Sequence, residues 1–172
     1  MHEAESRTPR AEFTLTRHVA APPSLVWDAF TIPARFARWF GPRGTTTTVL
    51  SHDLRPGGML HYRMGMPGGG GGMYGRLVYR ELTAPSRLVW VSSFADEQGA
   101  VIRAPFFDGL FPLEMLTTIT LQPDCAGTSI ALHWTPLEAT PAEHRTVADN
   151  TASFHGGWTG SFDQLDQFLA EG

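Results

Sequence analysis

The stretch TPAEHRTVADNTASFHGGWTGSFDQLDQFL, Thr140 to Leu169, decides how the rest of the chain is read. It reads as one long amphipathic helix. Thr140 is a good N-cap, Pro141 occupies the first helical position, and Glu143, three residues after the cap, completes a capping box. Phe154, Trp158, Phe162, Leu165 and Leu169 recur at helical spacing and form one bulky face. Gly156 and Gly157 interrupt that face at a cost of roughly 1 kcal/mol each relative to Ala. Such a cost is tolerable where a loop or a ligand comes close. The spacing predicts that Leu165 and Leu169 seal one end, and that Phe154 and the glycine pair lie nearer an opening.

A helix of this kind needs a sheet to cover its face, and the preceding residues supply one. Phe13, Leu15 and Val19 alternate with polar residues as a first strand, with Arg17 in the apolar phase. An inward arginine calls for a carboxylate partner. Pro22-Pro23 ends the strand. Two short helices follow, Ser24 to Phe30 and a second opened by Pro33 and stopped by Gly41-Pro42. Six strands then succeed one another: 45–54, 59–66, 73–82, 87–94, 114–121 and 128–134. Turns such as Arg55-Pro56-Gly57-Gly58 join them. Glycines 68–72 resemble a phosphate cradle only superficially. No Lys-Ser/Thr and no helix follow, so they read as a hairpin loop.

Short connections between consecutive strands imply an antiparallel sheet. The fold expected is α+β: a curved antiparallel sheet of about seven strands wrapped around a long C-terminal helix, with two short helices after the first strand. This is a helix-grip arrangement, and it forms one domain over 12–172 behind a flexible N-terminal tail, 1–11.

Composition removes several classes of function. The chain of 172 residues carries a formal net charge of −4, which argues against nucleic-acid or anionic-membrane binding. Every basic residue is arginine, so Schiff-base chemistry on lysine is excluded. Cys125 is the single cysteine, so no internal disulfide forms. No apolar run reaches the ~20 residues of a membrane helix. The polar start, MHEAESRTPRAE, is not a signal peptide, and a cytoplasmic location is expected.

Several segments together resemble one superfamily: Val26-Trp27-Asp28-Ala29-Phe30, Arg38-Trp39-Phe40-Gly41-Pro42, Asp53-Leu54-Arg55-Pro56-Gly57-Gly58, Arg87-Leu88-Val89-Trp90, Pro112-Leu113-Glu114-Met115 and Gly157-Trp158-Thr159-Gly160-Ser161-Phe162. In this order and spacing the chain is similar to the SRPBCC (START/Bet v 1-like) proteins, within the Aha1-like bacterial branch (activator of Hsp90 ATPase homologue). The resemblance runs from about residue 12 to 170. It implies a helix-grip fold with a deep cavity for hydrophobic small molecules. It does not imply one activity, because the superfamily includes carriers, polyketide cyclases and a chaperone-activating domain. The glycine run 68–72 and the loop 99–111 depart from the family pattern, with Ala104 before Pro105 where relatives often carry a histidine.

The residues themselves point to an apolar site. Trp39, Tyr62, Met64, Trp90, Phe94 and Trp134 share inward phases with Phe154, Trp158 and Phe162 of the final helix. Aromatic walls with a few polar groups are what small-molecule pockets use. The long stretch 95–113 does not alternate and carries Phe106, Phe107, Leu110 and Phe111. It reads either as a lid or as a plug of the core. Glu114 is the best acid/base candidate, at a strand entrance between Leu113 and Met115; an ion pair with Arg17, Arg63 or Arg76 is the plainer alternative. His52 and His61 pair across a hairpin if Pro56-Gly57 is its two-residue turn. Two ligands make a weak metal site, and a polar outer-face pair is the preferred reading. No metal and no cofactor are expected.

The reading reached from sequence is a domain that binds a hydrophobic small molecule in a cavity between sheet and helix. A homodimer is compatible with it. The alternatives are a cyclase- or dehydratase-like enzyme in the same cavity, and a contact module for an Hsp90-type chaperone, the latter by family analogy alone.

Overall fold

The computed structural model describes residues 10–171 apart from Gly70. Most of the expected tail, 1–9, lies outside the described residues. Ala11 at its end is packed, not loose: it is buried, and its backbone N–H donates to His144 Nδ1 at 3.1 Å.

Strand β1 (Phe13–Val19) is followed by helices α1 (Pro23–Thr31) and α2 (Pro33–Trp39), each with proline in its first turn. Strands β2 (Thr46–His52), β3 (Met59–Gly65), β4 (Gly72–Thr83), β5 (Arg87–Ala95), β6 (Glu114–Asp124) and β7 (Gly127–Leu137) follow. They form one antiparallel sheet in the order β1-β7-β6-β5-β4-β3-β2. Only β1 departs from simple succession. It pairs with the last strand, Phe13 opposite Trp134, and the two short helices carry the chain to the far edge.

The C-terminal segment is two helices where the periodicity predicts one. Helix α3 (Pro141–Asp149) begins with the expected capping box, in which the Thr140 side chain accepts from Glu143 N and the Glu143 carboxylate accepts from Thr140 N. It ends at Asn150, and α4 (Thr151–Ala170) begins there. Asn150 Nδ2 donates to Thr146 O at 2.8 Å, and Thr151 Oγ1 donates to Ala148 O at 2.9 Å. Short polar side chains thus take carbonyls that a continuous helix would use, and the helix breaks where Asp, Asn and Thr are adjacent.

The core lies between the inward face of the sheet and α1, α2 and α4. Phe30, Phe36, Trp39, Trp90, Phe162 and Leu165 are all essentially inaccessible. Trp39 Nε1 donates to Ala29 O at 2.9 Å, which satisfies the indole inside that core. The inward Arg17 has its carboxylate partners: Asp163 at 2.7 Å and Asp166 at 3.4 Å, both on α4.

Two bulges set which residues face inward. In β2 the register shifts between Val49 and Ser51, and in β4 between Tyr79 and Glu81. Each extra residue reverses the alternation beyond it. The first bulge overturns the expected His52–His61 pairing. His61 lies opposite Ser51, and His52 lies opposite Leu60 on the other face. His52 Nε2 instead meets the Tyr79 hydroxyl at 3.2 Å, and the buried His61 meets Asp96 O at 3.0 Å. The pair therefore shares no ion and no common surface.

No described helix is long and apolar enough to cross a membrane.

Candidate functional site

The sheet and α4 do not close on each other everywhere. A hollow of about 310 Å³ opens between them at the end where β3, β4 and β5 meet the loop after β5. Sheet residues Tyr62, Met64, Trp90, Phe94 and Trp134 face it, and Phe154 and Trp158 of α4 form the opposite wall. Two residues expected beside them are absent. Trp39 and Phe162 are fully buried in the core, their rings stacked 6.4 Å apart, and neither reaches the hollow.

The remaining wall comes from the loop after β5. Its first part is less irregular than the sequence suggests: Ala95 bridges to Val101, and the Asp96 side chain accepts from the N–H groups of Gln98 and Ala100, both at 2.9 Å. Beyond it, residues 102–113 cross the hollow. Phe107 stacks on Phe111 with ring centroids 5.8 Å apart, and Phe111 packs on Phe154 at 5.9 Å. Phe107 and Asp108 hold positive φ, 59° and 51°. An aromatic residue in that region costs of order 1–3 kcal/mol, which its neighbours must offset. Arg103 supplies part of the restraint. Its guanidinium donates to Phe111 O at 3.2 Å and to the buried Glu143 carboxylate at 2.8 Å. The same glutamate that caps α3 thus anchors the loop. Leu110 stays exposed; Phe106 is partly exposed too, but it lines the hollow with its ring edge-on to Phe94 at 5.3 Å.

A second space of about 300 Å³ adjoins the first. The two share Phe40, Pro42, Tyr62, Met64, Phe154 and Trp158 as walls. Gly157 and Ser161 border this outer part. The loop 40–45 that frames it is stitched to α4: Gly41 N donates to Ser161 Oγ at 3.2 Å, and Gln164 Nε2 donates to Gly41 O at 2.6 Å. A β-carbon on Gly156 or Gly157 would meet nothing within 4 Å. The pair therefore faces open space, and no loop uses it for close approach. The glycine of α4 that is used that way is Gly160, where a β-carbon would stand 3.3 Å from Arg43 Cγ and 3.5 Å from Arg43 N.

The hollow carries no formal charge on its walls among the described residues. Glu114 is not brought to it. Met115 points inward and is buried, so Glu114, its neighbour on the strand, takes the opposite phase. Nor does Glu114 pair with Arg17, Arg63 or Arg76; Arg17 is engaged by Asp163 and Asp166. The sequence placed Glu114 near a cavity because it flanks the loop, but strand alternation decides the face.

Among the polar residues on the walls, Tyr62 stands on the inward phase of β3. Tyr62 lies directly opposite Gly75 across the β3–β4 pair. Its ring folds over the bare glycine backbone, and the residue borders both the inner and the outer space. Burial pushes its pKa up to about 12, so the phenol keeps its proton. Ser92 also lines the wall, but its hydroxyl donates to Met115 O at 3.4 Å. Phe40, Met73, Leu77, Phe107, Phe111 and Met115, with Pro42, Tyr74, Ser93 and Phe106, complete the lining. Of these, Met73 and Leu77 are readable from β4 alternation once β3 is placed. The loop phenylalanines are not.

This is an α+β helix-grip domain with an apolar, aromatic-walled space between sheet and C-terminal helix. The chain belongs to the activator of Hsp90 ATPase homolog 1-like family, whose model matches residues 20–170. Solved structures of similar proteins agree. Protein NE0264 from Nitrosomonas europaea is 27% identical, with 94% of this chain and 95% of that one covered and a TM-score of 0.73. Protein CV1439 from Chromobacterium violaceum is 27% identical over 92% and 96% of the two chains, with a TM-score of 0.71. Protein Ms6760 from Mycobacterium smegmatis is 26% identical over 93% and 91%, with a TM-score of 0.73. None of the curated proteins matches the chain.

Proposed function

We propose that this protein binds a hydrophobic small molecule in the space between its sheet and α4. The observation that carries the reading is the composition of the walls. Rings and thioethers from β3, β5, β7, α4 and the 102–113 loop converge on an uncharged hollow of about 310 Å³. That volume sits at the lower end of the roughly 300–1,000 Å³ of small-molecule sites. A core that needed only stability would be filled, because an empty apolar volume costs roughly 24 cal/mol per Å³. The wall residues that surround the space also include Met64 and Met73, which adapt their shape to a guest.

Binding alone accounts for these features. A cyclase- or dehydratase-like reaction asks for an acid or base at the guest, and the best carboxylate candidate, Glu114, lies in the outward phase of β6.

The test is a thermal-shift screen of hydrophobic metabolites on the purified protein, with native mass spectrometry of the hits. The expected result is a one-to-one complex and a raised Tm for a subset of apolar compounds. Failure of every compound to form a complex overturns the reading.

A further inference from the structure

Resting on that reading, we infer that the guest is an uncharged, flat aromatic molecule bearing one oxygen, which hydrogen-bonds the Tyr62 hydroxyl while its rings lie inward. Three observations support this, and each removes an alternative.

The first is the state of the hydroxyl. Tyr62 is partly buried, and its hydroxyl meets no hydrogen-bond partner or charge among the described residues. The other polar groups near the walls are accounted for differently. Ser92 is donated to Met115 O. Tyr74 and Ser93 border the hollow from the opposite phase of their strands; the Tyr74 ring lies against His61, 5.9 Å away, and Ser93 Oγ is buried without a partner among the described residues. Tyr62 thus offers the walls' hydroxyl without a partner on the inward phase, beside the indole N–H groups of Trp90, Trp134 and Trp158. Because the phenol stays protonated, it donates well to a carbonyl, ether or phenolic oxygen.

The second is the charge of the walls. A carboxylate or ammonium guest would enter a space lined by Phe, Trp, Met, Tyr and Leu with no counter-charge among the described residues. Burying an unpaired ion there is prohibitive. Fatty-acid anions and amines are excluded by the same physics that admits a neutral ketone or phenol.

The third is the arrangement of the rings. Trp134 and Phe154 meet edge-on, with centroids 5.1 Å apart and planes at 76°, and Phe94 and Phe111 meet at 5.9 Å and 84°. Such walls present faces and edges in perpendicular pairs. A flat ring gains both stacked and edge-on contacts against them, which a flexible alkyl chain does not.

The position of Tyr62 fixes the orientation. It borders both the inner hollow and the outer space, so the oxygen sits at their junction and the rings sit in the inner part.

The experiment uses four matched probes and reads quenching of the wall tryptophans: 2-acetylnaphthalene, 2-ethylnaphthalene, 2-naphthoate and dodecanoate, all at neutral pH. The expected result is that 2-acetylnaphthalene binds about tenfold more tightly than 2-ethylnaphthalene, and that 2-naphthoate and dodecanoate bind more weakly than either. Tyr62→Phe brings the ratio between the acetyl and ethyl compounds close to one. Equal affinities for those two in the native protein, tighter binding of either anion, or a ratio unchanged in Tyr62→Phe would each overturn the inference while leaving ligand binding intact. Binding of none of the four overturns the ligand-binding reading itself.

Discussion

The ring of Tyr62 lies across the backbone of Gly75, its direct partner on the neighbouring strand. A β-carbon at Gly75 would stand 2.9 Å from the ring carbon Cε1 and nearer still to Cζ and the hydroxyl oxygen. The glycine is what allows the ring of a tyrosine on β3 to fold toward the middle of the sheet, on the wall of the apolar hollow.

Gly75→Ala should therefore push the Tyr62 ring off its seat. Forcing a methyl into a filled position costs typically about 1–3 kcal/mol. The urea midpoint should fall by that amount, with the slope unchanged. A midpoint equal to that of the native protein would show that the ring has room to move.

Two glycines of α4 separate binding from stability. Gly157→Leu places a side chain into the open space beside Trp158 and Ser161. It removes a helix-interior glycine, worth up to about 1 kcal/mol, so the melting temperature should hold or rise. Uptake of 2-acetylnaphthalene, followed by stopped-flow fluorescence, should slow. Gly160→Leu should do the opposite, because the new side chain runs into Arg43. A Gly157→Leu protein that melts lower yet takes up the probe at the native rate would show that the glycine serves packing.

Arg103 ties the aromatic loop to the cap of α3. Arg103→Ala leaves the buried Glu143 carboxylate with its capping contacts alone, and releases Phe111 O. Half of the arginine side chain is exposed to solvent, which tempers the effect. A loss of about 1–2 kcal/mol is expected, from the range for hydrogen bonds to charged groups. The probe should also dissociate faster, since Phe107 and Phe111 lose their tether. Native dissociation kinetics would show the loop to be held by its rings alone.

Asp163 on α4 lies between two arginines. Hydrogen bonds from Arg43 and then from Arg17 hold its carboxyl below the usual aspartate range. The unfolded chain titrates near pH 4, at about 3.9. The ion pairs thus stabilise the fold fully above that pH, and the contribution disappears as pH falls through the lower folded value. Urea unfolding of native protein and Asp163→Asn should differ at pH 7 and converge in acid. A difference that does not depend on pH would mean that the aspartate acts by packing.

Much of this molecule is legible in one dimension. Alternation in the strands gives the sheet and its faces, because side-chain direction reverses with every residue. The Thr140–Glu143 capping box and the proline-opened helices are local devices, closed by residues three or four apart. Arg17, alone among apolar positions, announces a carboxylate partner. These features depend on neighbours in sequence, so the sequence determines them. Tertiary structure decides the rest. The bulge after Val49 reverses the alternation and sends His52 and His61 to opposite faces, and the bulge after Tyr79 reverses it in β4. The break at Asn150 reflects side chains competing for carbonyls. Trp39 and Phe162 share the character of Trp90 and Trp158, yet they close the core while the others face a space. Which aromatic residue lines a hollow depends on how far apart the helix and sheet stand at that point. That distance is set by remote contacts: the loop 40–45 bonded to α4, the Arg103–Glu143 tie, and a glycine under the ring of Tyr62.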